Sequence, residues 1–147
     1  MASFLHAGDR ELLLRRLDAL TADSKPQWGR FTVPEMLFHL RESARMASGS
    51  LPVPDHGKKL FQMFPLKHLI LYVLPFPKGA PTAKQLLPTT QPEFDRALKE
   101  LREALYEFQE ARSGTPPTHP LFGPLTRAQW GTLVYKHTDH HLRQFGV

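Results

Sequence analysis

Three threonines each open a four-residue box that starts a helix, and this repeated punctuation restricts what the chain can fold into. Thr32-Val33-Pro34-Glu35, Thr90-Gln91-Pro92-Glu93 and Thr126-Arg127-Ala128-Gln129 all set a hydroxyl three residues before a carboxylate or amide. At that spacing the hydroxyl accepts from the backbone N–H three residues on, while the Glu or Gln side chain reaches back to the first N–H. Proline inside the first two boxes stands where a missing N–H costs little. Apolar residues then recur with a period of 3.6: Met36, Leu37, Leu40, Ala44 and Ala47 after one box, and Phe94, Leu98, Leu101, Leu105 and Phe108 after the next. After the third come Trp130, Leu133 and Val134. A fourth helix is predicted from Asp9 through the leucine-rich run Glu11 to Leu20. Sustained strand alternation is missing, so the expected fold is all-α, a bundle of four principal helices.

Residues 51–90 differ in texture. They hold seven prolines, at 52, 54, 65, 75, 77, 81 and 88, among many aliphatics. Gly57 to Leu74 is expected to form a helix bent near Pro65, whose ring removes a hydrogen bond and crowds the preceding turn. Phe76 to Pro81 is then loop, and Ser113 to Pro120 is a second loop before the last helix. Neither has apolar sequence on one side only, as a linker between domains would. With 147 residues, the chain fits a single domain, 1–147, carrying a helical and loop insertion at 51–90.

Composition removes several kinds of chemistry. Cysteine is absent, which excludes thiolate metal sites, disulfides and a cysteine nucleophile. The N-terminus lacks the basic and apolar regions of a secretory signal, and Leu66 to Phe76 is too short and too interrupted to span a bilayer. The expectation is a cytoplasmic protein with no membrane partner. A formal charge of +5 raises the question of nucleic acid. Yet the excess is local: 51–90 carries Lys58, Lys59, Lys67, Lys78 and Lys84 against Asp55 alone. No arginine–aromatic interleaving or finger spacing accompanies it, so a dedicated nucleic-acid binder is not expected, and attraction for a small anion is at least as good a reading. A bundle of this size commonly forms a homodimer, though no helix face is apolar enough to name the interface.

Of the eight histidines, two share a helical stripe with Trp130, Leu133 and Val134: His137 and His141. Residues four apart stand one turn above the other, so this pair can hold one metal ion from the inward side of the last helix. His39 lies mid-helix at the edge of an apolar face and is the best third ligand. Three imidazoles would leave coordination positions for water or substrate. Histidine at such an edge is also commonly a hydrogen-bonded boundary residue, and spacing alone leaves both readings open. His6, His56 and His119 fall in expected loop or terminus, His140 is expected off the stripe, and His68 belongs to the insertion. Asp139 and Glu42 are candidate acceptors for the ligands' outer ring N–H groups. Thr138 occupies the place where a metalloprotease helix has its glutamate, which speaks against that reaction.

These residues resemble the DinB/YfiT-like superfamily. The likeness is carried by His39, by the phrase His119-Pro120-Leu121-Phe122-Gly123-Pro124-Leu125-Thr126, by Trp130-Gly131, and by Lys136-His137 through Asp139-His140-His141-Leu142-Arg143-Gln144-Phe145-Gly146-Val147. Pro75-Phe76-Pro77-Lys78-Gly79 adds to it. The resemblance covers nearly the whole chain and implies an up-down-down-up four-helix bundle with a divalent metal on His39, His137 and His141. Zinc or nickel is the first expectation for that ion, with manganese or iron as alternatives. Relatives include transferases that use a low-molecular-weight thiol, so the expected activity is metal-dependent thiol transfer to an electrophilic small molecule. Lys78, Lys84 and Arg143 are then the candidates to hold the carboxylates of the thiol. A second expectation is a non-catalytic stress-response protein that binds metal or a small ligand.

Overall fold

Thr32 caps the second long helix as its spacing predicts. In the computed structural model, which describes residues 1–55, 57–80 and 82–147, Thr32 accepts from the Glu35 N–H and Glu35 returns a carboxylate to the Thr32 N–H. The helix, α2, runs Val33–Ser48 and ends on Gly49, whose φ of 89° is the left-handed stop that glycine adopts without strain. Thr126 and Gln129 form the same reciprocal pair at the start of α6, Arg127–Gln144, named here in chain order with α1 Ala7–Asp18, α3 Lys59–Gln62, α4 Leu66–His68 and α5 Phe94–Glu110.

The other two starts differ from expectation. Thr90 caps nothing: Glu93 is itself the N-cap of α5, its carboxylate accepting from the Asp95 and Arg96 N–H groups. Gln91, the second residue of that box, turns to α2 and donates to the Thr32 hydroxyl at 3.1 Å. Asp9 lies inside the first turn of α1 and accepts from the Ser3 N–H, fastening the N-terminal segment.

The molecule is mainly helical, with four long helices and, among the described residues, one two-residue β-hairpin, Thr118–His119 against Gly123–Pro124. α2 makes its most extensive contact with α5, and α6 packs on both α1 and α2. Met36, Leu37, Leu40 and Ala44 of α2 meet Ala97, Leu101, Ala104 and Phe108 of α5 in one buried core. Trp130, Leu133 and Leu142 bring α6 into the same core, and the Trp130 ring N–H donates to the Pro117 carbonyl. Each large side chain so buried contributes roughly 1.5–3 kcal/mol relative to exposure. Gly131 permits the N-terminal strap to cross α6 closely: a Cβ there would stand 2.6 Å from Ser3 Oγ, and the Phe4 N–H donates to the Gly131 carbonyl.

The insertion contains the predicted break. Instead of one bent helix over Gly57 to Leu74 it forms α3, then α4 after Pro65, then a π-helical turn at Leu69–Val73. A 3-10 turn at Lys84–Leu86 returns the chain toward α5. Phe76 to Ala80 is loop as expected, while His56 and Pro81 lie outside the described residues. No described helix is long and apolar enough to cross a membrane.

Candidate metal centre

His39 on α2 and the pair His137 and His141 on α6 point their rings at one another. Ring centroids form a nearly equilateral triangle with sides of 4.8, 5.0 and 4.9 Å. The Nε2 atom of His137 stands 2.9 Å from that of His39 and 3.2 Å from that of His141. Among the described residues, this is the one group of three side chains whose donor atoms lie close enough to hold a metal ion. Bonds of about 2.0–2.1 Å at a tetrahedral centre require nitrogens about 3.3 Å apart, which is near the spacing of His137 to each of the other two rings.

The outer nitrogens reveal which protons the rings carry. His39 Nδ1 lies 3.1 Å from the Leu86 carbonyl, which can only accept, so the His39 proton is on Nδ1. His141 Nδ1 lies 2.7 Å from Gln144 Oε1. The orientation of that amide is fixed independently, because Gln144 Nε2 donates to the Trp28 carbonyl at 2.8 Å. His141 therefore also carries its proton on Nδ1. Two bare Nε2 lone pairs then aim at the same point as the third ring. A single ring proton on His137 can satisfy one of them and leaves the other lone pair facing nitrogen. A divalent cation resolves both, and the donor set fits it.

Burial keeps these rings neutral. It pulls His39 down to about 4 against the opposing hydrogen bond to the Leu86 carbonyl, pulls His141 down to about 3, and holds His137 well below the usual imidazole range. Neutral imidazole is the form that binds metal. His39 and His141 are 4% and 7% exposed, whereas His137 is only half-buried and supplies the more open side.

Aromatic rings line the surroundings. Phe31 packs 5.4 Å from His39 and 5.9 Å from His141, and Phe76 of the insertion lies 5.7 Å from His137. His140 is a rim residue, its ring 5.9 Å from Trp28 and 6.0 Å from Phe76, and burial lowers its pKa. Lys78 places its ammonium 4.2 Å over the Trp28 ring.

The remaining candidates separate. Lys84 is exposed on the 3-10 turn whose Leu86 carbonyl orients His39. Arg143 is exposed and paired with Asp139 at 3.0 Å. Asp139 and Glu42 do not serve the ligands: Asp139 also pairs with Arg16 at 2.6 Å, and Glu42 with Arg41 and Arg45. Their place is taken by Leu86 and Gln144. A backbone carbonyl from the insertion leaves no trace in sequence, but Gln144, three residues after His141, had the spacing to be found. His6 pairs with Asp9, and His68 packs on Phe64 and Tyr72. His119 spends Nδ1 accepting from the Leu121 and Phe122 N–H groups, and burial lowers it to about 4.

A predominantly helical domain with three neutral imidazoles gathered from two helices defines a candidate metal-binding protein. The family model described as "Protein of unknown function (DUF1569)" matches residues 5–146, and the chain belongs to that family. No curated protein and no solved structure shows a significant match to it.

Proposed function

We propose that this chain is a divalent-metal-dependent enzyme of the DinB-like superfamily, its four long helices forming an up-down-down-up bundle, and that it transfers a low-molecular-weight thiol to an electrophilic small molecule. The observation that carries the reading is the convergence of three Nε2 atoms, two of them on rings whose outer nitrogens are already committed, that of His39 to Leu86 and that of His141 to Gln144. When bound, zinc, nickel, manganese or iron supplies Lewis acidity that lowers the pKa of a coordinated thiol or water.

The chain's own residues do the rest. His39, His137 and His141 hold the ion from α2 and α6, and Gln144 fixes the ring of His141. Phe31 and Phe76 exclude water from two sides, so charge near the centre is felt more strongly than in solution. Lys78, held over Trp28 at the rim, is the candidate to meet a carboxylate of the thiol. Lys84 and Arg143 are its weaker companions. In the transfer a sulfur–carbon bond forms as the bond from carbon to its leaving group breaks. With an aryl chloride, chloride departs and the thiol proton passes to solvent.

Metal analysis of the purified protein, followed by conjugation of glutathione- or bacillithiol-type thiols to chloro-aromatics, tests this. About one ion per chain is expected, with turnover that disappears in His137→Ala together with the metal. Conjugation that survives that substitution would overturn the mechanism. No turnover with any thiol, together with a large drop in Tm on chelation, would make the centre structural and the protein a non-catalytic metal-binding one.

A further inference from the structure

A cleft of about 290 Å³ lies between the insertion, α6 and the N-terminal residues Met1 and Ala2, and Phe76 is the wall it shares with the metal centre. Its insertion side is apolar, including Val73, 69% exposed, and Leu74, 43% exposed. Apolar side chains left in water beside a concave surface with a few polar groups are the usual make-up of a small-molecule site. The α6 side presents Lys136, Asp139, His140 and Arg143.

The charges there are unequally matched. Arg143 has Asp139, and Asp139 is further held by Arg16. Lys136 has no carboxylate within ion-pair distance among the described residues. Its ammonium donates to the Ile70 carbonyl at 2.5 Å and the Leu71 carbonyl at 3.3 Å, and stands 5.1 Å from the centre of the Phe76 ring. An ammonium has three N–H donors, so one is left over. A half-buried cation without a counter-charge costs desolvation that a bound anion would offset.

We propose that this cleft binds a small organic carboxylate, with its anionic group on Lys136 and its apolar body against Leu74 and Phe76, immediately beside the His137 side of the metal centre. What happens to that ligand rests on the metal-dependent reading; its binding does not. The carboxylate is then a specificity determinant of the substrate, supplied by the residue that precedes His137 on α6.

The probe is 2-naphthoate, titrated into the chelator-treated and the zinc-loaded protein by calorimetry and amide chemical shifts, with neutral 2-naphthamide as control. Naphthoate is expected to move the amides of 73–76 and 136–140, and to bind about tenfold or more tighter than the amide, the ratio set by one charged hydrogen bond. Lys136→Gln brings naphthoate down to the naphthamide level, while Lys136→Arg retains most of the preference. Leu74→Asp, a change on an exposed side chain, removes part of the apolar wall and adds a negative charge, so it weakens both probes and naphthoate the more, which keeps the test independent of any folding defect at Lys136. Equal binding of the two probes overturns the proposal, as does naphthoate binding that ignores both Lys136→Gln and Leu74→Asp. Naphthoate binding that vanishes on chelation places the anion on the metal and also overturns the proposal while leaving the metal reading intact. Lys136-dependent binding in a protein that takes up no zinc upholds the cleft and removes the metal reading.

Discussion

The helical wall of the centre and the wall built by the insertion are made in opposite ways. α2 and α6 each begin with a reciprocal capping box; they bury His39 and His141, and Gln144, a side chain of α6, fixes the His141 ring. The insertion has four short helical turns with none of these caps, leaves Leu60, Met63, Phe64 and Val73 mostly exposed, and reaches the centre through one backbone carbonyl and one ring, Leu86 and Phe76. The difference teaches a division of labour. The frame fixes the imidazoles, and the insertion shapes what can approach them.

The largest test of that contrast is pH. His39 and His141 have folded-state pKa values lowered from 6.5 to about 4 and about 3, chiefly by burial. Below 6.5 the unfolded chain therefore binds protons that the folded chain refuses. Stability of the chelated protein is full above that pH, falls as pH drops toward 4, and levels off once the folded rings titrate. The slope is up to ~1.4 kcal/mol per pH unit for each histidine. Urea titrations across pH 4–8 measure it (a range of roughly the imidazole titration). His119, lowered to about 4 outside the centre, adds to the slope, so His119→Gln should make it shallower without touching metal uptake.

Next in size is the helical wall's own acceptor. Gln144→Ala should weaken metal binding by about 10–100-fold, the usual effect of losing an outer hydrogen-bond partner, read by competition with a chromophoric chelator. Unchanged affinity would mean that packing alone orients His141. Gly29 marks how tight this link is: its φ is +80°, and a Cβ there would stand 2.6 Å from Gln144 Nε2.

Smaller effects sharpen the contrast at the helix starts. Thr126→Ala removes a working cap and should cost ~1 kcal/mol, whereas Glu93, not Thr90, carries that burden for α5. Thr90→Ala should therefore stay within about 0.5 kcal/mol of the parent, the range of surface substitutions away from caps and core. Smallest of all is Phe64→Ser. That ring is 78% exposed, so thermal unfolding should scarcely change despite the loss of an aromatic residue.

Two helix starts and the histidine stripe were readable because they depend on neighbours three or four residues away. Thr32 and Thr126 behave as their boxes specify, and His137 and His141 share one side of α6 because helix geometry requires it. The Thr90 box misled because a proline-bearing segment with a carboxylate at its end offers two phases of entry. The contact of Gln91 with Thr32 accompanies the later one. Asp139 and Glu42 were attractive acceptors by proximity in sequence, yet each lies among arginines and pairs with them instead.

By itself the sequence determined the helices with their periodic faces, the absence of any cysteine of the chain's own, and which histidines were worth following. Only the tertiary structure decided that His39 meets the α6 pair, that the Leu86 carbonyl and the Gln144 amide set the ring protons, and that Lys136 has no counter-charge among the described residues. The physical reason is distance along the chain. A helix is written in contacts of three and four residues, while the bonds from His39 to Leu86, Lys136 to Ile70 and Gln144 to Trp28 join residues 47, 66 and 116 apart. Packing of the whole core selects those partners, and no local pattern encodes them.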